Sequence, residues 1–323
     1  MSTKTLPTLQ DVADRACVSK AVASRAFSKE KKPISEVKKQ RVLQAAEELG
    51  YVMNPFAQSL NSNTTGLVAI VVNHISDLSD LELFDHLLRG LQSIGKLPIF
   101  IRIKTKQDIA SITDNAFVHR VDAAIIFSDL IEPKDMPKLF LTTRVINLNG
   151  QNWDNTWSVL LDEEQAIRDA VSYAFQAGVK DVHLLAGRES SAVEERRLAL
   201  YKENLARHDI ALKSITYCNY KYNEAKQYLI DNTSDIVQPS SGVICTSDAM
   251  AMAAIDSFGQ QNSRPVIIGF DNTFFSHFGS YQFPSIGYSK EELIEMVLEL
   301  ISLPSTEKNL AGEKYIRNFF NCH

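Results

Sequence analysis

Cysteine is scarce in this sequence. The four present (Cys17, Cys218, Cys245, Cys322) show neither CxxC nor Cys/His spacing, which argues against a zinc site and against a disulfide framework. Phosphate-cradling loops of the GxxxxGK[ST] or GxGxxG type are missing, as are HExxH and GxSxG. The expectation is a protein that is not an enzyme, with no cofactor and no metal. No apolar run approaches the length of a membrane span, and the start "MSTKTLPTLQDVADRA" lacks the apolar core of a signal peptide. A cytoplasmic protein with no membrane partner is therefore expected. Internal repeats and low-complexity tracts are absent too. Positive charge is short overall, since the net charge is −5, and that average by itself speaks against a nucleic-acid partner.

The average hides an asymmetry. Residues 1–62 hold ten Lys and Arg against six Asp and Glu, so a basic module of +4 precedes a body of about −9. With 323 residues, 45% of them hydrophobic, the chain is long enough for two or three globular domains.

The basic module reads as three short helices. Thr8 caps the first, whose Leu9, Val12, Ala13 and Ala16 fall on one face. A tight connection at Cys17-Val18 follows, and Ser19 opens "SKAVASRAF". After the break at "KKP", Ser35 caps a third helix that runs to Gly50, a residue suited to the left-handed C′ position. Two short helices joined so tightly outline a helix-turn-helix, in which the second helix enters the major groove of DNA. Lys20 and Ala21 would then meet base edges, Arg25 a guanine or a phosphate, and Ser19 and Ser24 phosphate oxygens. An ordinary three-helix domain with a solvated Lys and Arg has the same periodicity. Beyond it, Asn54 and Pro55 make a good helix start, but Phe56, Ala57 and Leu60 lie on a helix of barely two turns before the linker "NSNTTG". So short a helix forms only when docked.

From Gly66 onward, apolar runs ("LVAIVV", "LPIFIRI", "DAAIIFS", "RVINLN", "DVHLLAG", "SGVICTS", "PVIIGF") alternate with amphipathic helices. Such βα repetition predicts doubly wound parallel sheets, with enough strands for two. Ligands in these folds sit beyond the carboxyl ends of the strands. The candidates by that rule are Asn73, Asn149, Ser247-Asp248 and Asp271-Asn272, although Asp248 suits a helix N-cap better than a ligand contact. His74 also follows a strand and reads more simply as a surface residue.

"TLQDVADRACVSKAVASRAF", "RVLQAAEELGYVMNPFAQSL" and "TTGLVAIVVNHIS" resemble the LacI/GalR family of bacterial transcription regulators. "SVLLDEEQA", "VKDVHLLAGRESSAVEERRLALY", "GVICTSDAMAMAAID" and "PVIIGFDNTFF" follow in the family's order, so the likeness covers nearly the whole chain. It implies an all-α helix-turn-helix headpiece (1–53), a hinge helix and linker (54–65), and a two-lobed α/β body (66–323) like that of periplasmic binding proteins. The first lobe would span about 66–161 plus 287–303, and the second about 162–286 plus 304–323. It also implies a homodimer on pseudo-palindromic operator DNA, with Leu60 from each copy wedged between central base pairs. The effector implied is a sugar, sugar acid or sugar phosphate held between the lobes. Arg197 and Asp271 match the family's effector-holding pair, and Ser247, Asp162, Tyr220 and Phe84 match further positions near the cleft. Lys20, Ala21 and Arg25 match its base-reading positions. The sequence departs where Val22 replaces the usual Thr, Ala23 the usual Val and Ser247 the more frequent Asn. Val22 suits a thymine methyl more than a phosphate.

The ending "YIRNFFNCH" lacks the Leu-heptad tail of the family's tetramers, so a dimer is expected. Whether ligand releases DNA or is needed to bind it stays open. A solute-binding protein for transport shares the two-lobed fold but would carry a signal peptide and no headpiece.

Overall fold

A computed structural model describes residues 6–27, 33–52, 64–75, 78–113, 120–148, 150–238, 240–258, 264–304 and 311–322. The chain divides into two compact units, residues 1–65 and 66–323.

The small unit is built from α1 (Leu9–Arg15), α2 (Lys20–Ala26) and α3 (Glu36–Leu49). Thr8 and Asp11 form a reciprocal capping box at the start of α1. The helix stops in a Schellman turn: Val18 N–H bonds Ala13 O, Cys17 N–H bonds Asp14 O, and Cys17 takes the left-handed conformation at φ 51°. Gly50 closes α3 in the same way at φ 65°. The shared core is made of small residues, with Val12, Ala13 and Ala16 against Ala23, Ala26, Val42, Ala45 and Ala46. Alanines on every facing helix permit the close approach that so short a motif requires. Arg41 donates to the Ala16 carbonyl at the end of α1, and Arg15 pairs with Glu48 at 2.7 Å.

The large unit opens with β1 (Leu67–Val72), α4 (Leu78–Ser93), β2 (Leu97–Arg102), α5 (Lys106–Thr113) and β3 (Ala123–Phe127). The short α6 (Met136–Leu139), β4 (Val145–Asn147) and β5 (Trp157–Asp162) complete that run. A second run carries α7 (Glu164–Gln176), β6 (Asp181–Ala186), α8 (Ala192–Arg207), β7 (Ala211–Tyr217), α9 (Tyr222–Asp231) and α10 (Thr233–Ile236). It ends with β8 (Ser241–Cys245), α11 (Asp248–Phe258), β9 (Val266–Phe270) and β10 (Ser285–Gly287). The chain closes with α12 (Lys290–Ser302), β11 (Gly312–Arg317) and β12 (Phe319–Asn321).

Two six-stranded sheets result, ordered β2-β1-β3-β4-β5-β11 and β7-β6-β8-β9-β10-β12. Both repeat the 2-1-3-4-5 winding, whose order reverses between β1 and β3 in one lobe and between β6 and β8 in the other. Helices cover both faces, so β1 and β8 are buried along their whole length, as their unbroken apolar runs require. Each sheet separates two cores. The first lobe gathers Ile70, Leu87 and Val297 on one face and Val71, Ile126 and Leu139 on the other.

The chain passes between lobes three times, after β5, after β10 and after β11. One boundary differs from the sequence reading. The resemblance puts residues 304–323 in the second lobe, but Gly312–Arg317 pairs in parallel with Trp157–Asp162 and extends the first sheet. Only β12, antiparallel to β10, belongs to the second.

Candidate functional site

The small unit presents one face of α2. Lys20, Ala21, Ser24 and Arg25 are exposed, whereas Ala23 and Ala26 are buried and Val22 is half-buried between the two faces. At 100° per residue these four exposed positions form a single stripe. Ser19, itself exposed, is the N-cap, its Oγ accepting the Val22 N–H. Thr8 is different. Its hydroxyl accepts from Asp11 N–H and donates to the Asp11 carboxylate at 2.8 Å, so both of its functions are spent inside the capping box. Asn54 and Leu60 lie outside the described residues.

In the large unit the predicted ligand residues separate into different environments. Arg197, on α8, is buried and saturated within the protein. Its Nε and Nη2 donate to the two Glu163 oxygens at 3.0 and 2.7 Å, and Nη1 reaches Glu194 at 3.3 Å and Thr246 O at 3.4 Å. The guanidinium also stacks on Phe270, 3.6 Å from the ring centre. Burial works against its charge, but the Glu163 and Glu194 carboxylates outweigh that and raise its pKa. Asp162 is exposed and Glu163, its neighbour, is the carboxylate that faces inward. Glu194 joins the group by accepting from Gly187 N–H, the Thr246 hydroxyl and the Tyr220 hydroxyl, at 2.7, 2.6 and 2.8 Å. Tyr220 lies so close over Gly187 that a Cβ there would sit 1.9 Å from its ring. Burial, then the Glu194 charge, pushes the Tyr220 pKa up.

Ser247 is completely buried, and its hydroxyl caps α11 by accepting from Met250 N–H at 3.4 Å. The N-cap expected of Asp248 is thus supplied by Ser247. Asp248 instead ties three strand ends together. It accepts from Thr273 N–H and hydroxyl at 2.6 and 2.8 Å and from the Ser285 hydroxyl at 2.6 Å. Its pKa is pushed up to about 7 by burial, with the Asp271 charge adding to the effect. Asp271 and Asn272 turn away from β9 at φ 97° and 43°, a strained pair for residues bearing a Cβ. Lys290 donates to Asp271 O at 3.1 Å and pairs with Glu82 at 3.1 Å, while Glu82 accepts from Phe274 N–H at 2.7 Å. That carboxylate on α4 latches the first lobe to the second.

At the mouth of the cleft lies an open cavity of about 450 Å³. Each switch point contributes to it: Asn73 and His74 follow β1, Asp129 and Leu130 follow β3, and Arg188 and Ser190 follow β6. Lys104, just beyond β2, and Asn219 and Lys221, beyond β7, complete the wall. Arg188 crosses between lobes. It donates to His74 Nε2, reaches Asp129 at 3.4 Å, and lies 5.0 Å above the Tyr220 ring. His74 Nδ1 bonds Asn73 Oδ1 at 2.6 Å, so the ring is held as the neutral tautomer that can accept from Arg188. Burial, and then the Arg188 charge, lower its pKa. A second bridge joins the exposed Arg196 to Gly150 O.

Phe84 lines none of this. It is a core residue of the first lobe, edge-on to Phe100 and Phe127 at 5.3 and 5.2 Å. Asn149 lies outside the described residues. Glu163, Glu194, Arg188, Asp129, Lys290 and Glu82 were absent from the candidates. For Arg188 and Asp129 a signal existed, because both stand within two residues of the runs "DVHLLA" and "AAIIF". Among the described residues no group of His, Cys, Asp and Glu is placed to hold a metal ion, and no helix is long and apolar enough to cross a membrane.

Residues 8–54 match the family described as bacterial regulatory proteins, lacI family. The HTH-type transcriptional regulator AscG of Escherichia coli K12 is 27% identical over 92% of this chain and 90% of its own. The lac repressor dimer bound to operator and the anti-inducer ONPF superposes with a TM-score of 0.83 at 18% identity, covering 98% of each chain. A transcriptional regulator CelR–cellobiose complex gives 0.64 at 18% identity, again covering 98% of each chain.

Proposed function

We propose, from the premise that this chain belongs to the lacI family of bacterial regulatory proteins, that it is a transcriptional repressor whose operator binding is set by a sugar-derived effector. The observation that carries the DNA-binding half is the exposed stripe Lys20, Ala21, Ser24, Arg25 on a helix whose opposite face is alanine. Small side chains let the helix backbone approach the bases, and the two cations reach out from it. The net charge of the body repels DNA, so contact is confined to residues 1–65.

Residues 54–65 would form the hinge, with Leu60 as the wedge at the operator centre. Because so short a helix is marginal alone, a shift between lobes that separates two hinges releases the DNA. A ligand preference of 1–3 kcal/mol between the two states changes operator affinity about 5- to 150-fold, and DNA weakens ligand binding by the same factor. The sugar class is supported by the cellobiose complex among the fold relatives, and the dimer by the operator-bound lac repressor dimer. An apolar patch suits a second copy: Phe274 and Phe278 are 50% and 46% exposed and both pack against the Phe275 ring. Sedimentation should therefore give twice the chain mass, and a monomer at micromolar concentration would remove the dimer.

Fluorescence anisotropy on the chain's own upstream DNA tests the whole reading. Arg25→Ala, at an exposed position, should leave the circular dichroism unchanged and weaken operator binding about 5- to 150-fold, the loss of one base or phosphate contact worth 1–3 kcal/mol. Equal affinity for operator and scrambled DNA, with only a phosphate-type salt slope, would defeat it.

A further inference from the structure

Two arginines approach the cleft, and they differ in what they have left to offer. Arg197 is matched by two buried carboxylates and holds its place through contacts as short as 2.7 Å. Arg188 faces one carboxylate, Asp129, at 3.4 Å, and a neutral imidazole, while its buried Nε has no hydrogen-bond partner. A buried donor without an acceptor costs about 1–3 kcal/mol, so this guanidinium is less fully matched than that of Arg197, its one carboxylate standing 3.4 Å away. The same cavity receives the exposed Lys104 from one lobe and Lys221 from the other, the latter also held by Glu224 at 2.6 Å. Asn73 and Asn219 on opposite walls supply amides suited to hydroxyl groups.

We infer that the effector is anionic, a sugar carrying a phosphate or carboxylate, and that Arg188 is the residue that selects it. This deepens the proposed function and rests on its premise that a sugar derivative occupies the cleft. The anionic group takes charge-assisted bonds from the Arg188 guanidinium, with Lys104 and Lys221 closing from either lobe. The hydroxyls face Asn73, Asn219 and Asp129. Because Arg188 belongs to the second lobe and Asn73, Lys104 and Asp129 to the first, such a ligand draws the lobes together through the charge it brings. A neutral sugar offers no comparable partner for Arg188.

The test is isothermal titration and thermal shift on the full chain with inorganic phosphate, D-glucose 6-phosphate, D-gluconate and D-glucose. Phosphate should raise the melting temperature, and one of the two anionic sugar probes should bind at least tenfold more tightly than glucose. Binding by the phosphate ester and not by gluconate assigns a phosphate, and the reverse assigns a carboxylate. Arg188→Met should lower the anion's affinity about tenfold or more, as expected for losing charge-assisted bonds. Lys104→Gln, at an exposed position, should weaken it several-fold with the melting temperature of the free protein unchanged. No stabilisation by phosphate, glucose bound as well as the anions, or unchanged anion affinity in both variants would each overturn the inference. Operator anisotropy on the same preparations separates the two claims: DNA binding without anion binding removes only this one, and anion binding without DNA binding removes only the repressor.

Discussion

Arg197→Met should cost about 3–5 kcal/mol of stability, seen as a large drop in the urea midpoint, because it leaves Glu163 and Glu194 buried beside each other with no cation. The geometry is that of a pair whose value lies in being complete. Both carboxylates accept more than one bond, the guanidinium stacks on Phe270, and the cluster joins the start of α7, the start of α8 and the loop after β8. Glu163→Gln should cost less, since the amide keeps one acceptor for Arg197 and Glu194 still offsets the charge. Resemblance alone makes Arg197 the residue that grips the effector. The two roles separate in one experiment. A variant as stable as the parent but deaf to ligand supports the gripping role, whereas a strongly destabilised one supports the role drawn from these contacts. A variant unchanged in both would mean the ion pair contributes nothing, which its burial makes the least compatible result.

The sequence was most legible where one physical rule decided the outcome. Buried parallel strands are continuous apolar runs, and seven of the twelve observed strands were visible that way, from "LVAIVV" to "PVIIGF". Helix α2 was visible because Ala23 and Ala26 alternate with Lys20, Ser24 and Arg25 at helical spacing. The strands that escaped lie toward the sheet margins. "ALKSITY" and "GEKYIR" carry polar residues because an edge strand has a solvated side, and β10 and β12 are three residues long.

Side-chain roles were harder to read than positions. Counting residues after a strand located the cleft, but whether Asp162 or Glu163 turns inward depends on where α7 begins, which no local pattern states. Phe84 has the right spacing for a cleft wall and the wrong depth, since Phe100 and Phe127 enclose it. Arg188 stands two residues past "DVHLLA", so its place was legible, but its contacts with His74 and Asp129 are a property of three dimensions.

Asp248→Asn should flatten the pH dependence of stability between about pH 4 and 7. The folded chain keeps a proton on Asp248 up to about pH 7, whereas the unfolded chain loses it near the ordinary 3.8. Between those values the folded state binds more protons, so this group's contribution to stability falls as pH rises from about 4 to 7 and is level above. The full interval corresponds to about 4 kcal/mol at most. Asparagine mimics the protonated acid. Its oxygen can accept from Thr273 N–H and hydroxyl, and its amide can donate to Ser285 Oγ, without the charge that Asp271 opposes. Urea midpoints for parent and variant should therefore nearly coincide at about pH 4 and diverge up to about pH 7, with the variant the more stable. Parallel curves across that range would show that Asp248 is ionised throughout, and that its three hydrogen bonds are enough to hold a charge in the core. The same carboxyl anchors Thr273 and Ser285 around the Asp271-Asn272 turn, so the variant must keep those three bonds for the comparison to isolate the charge.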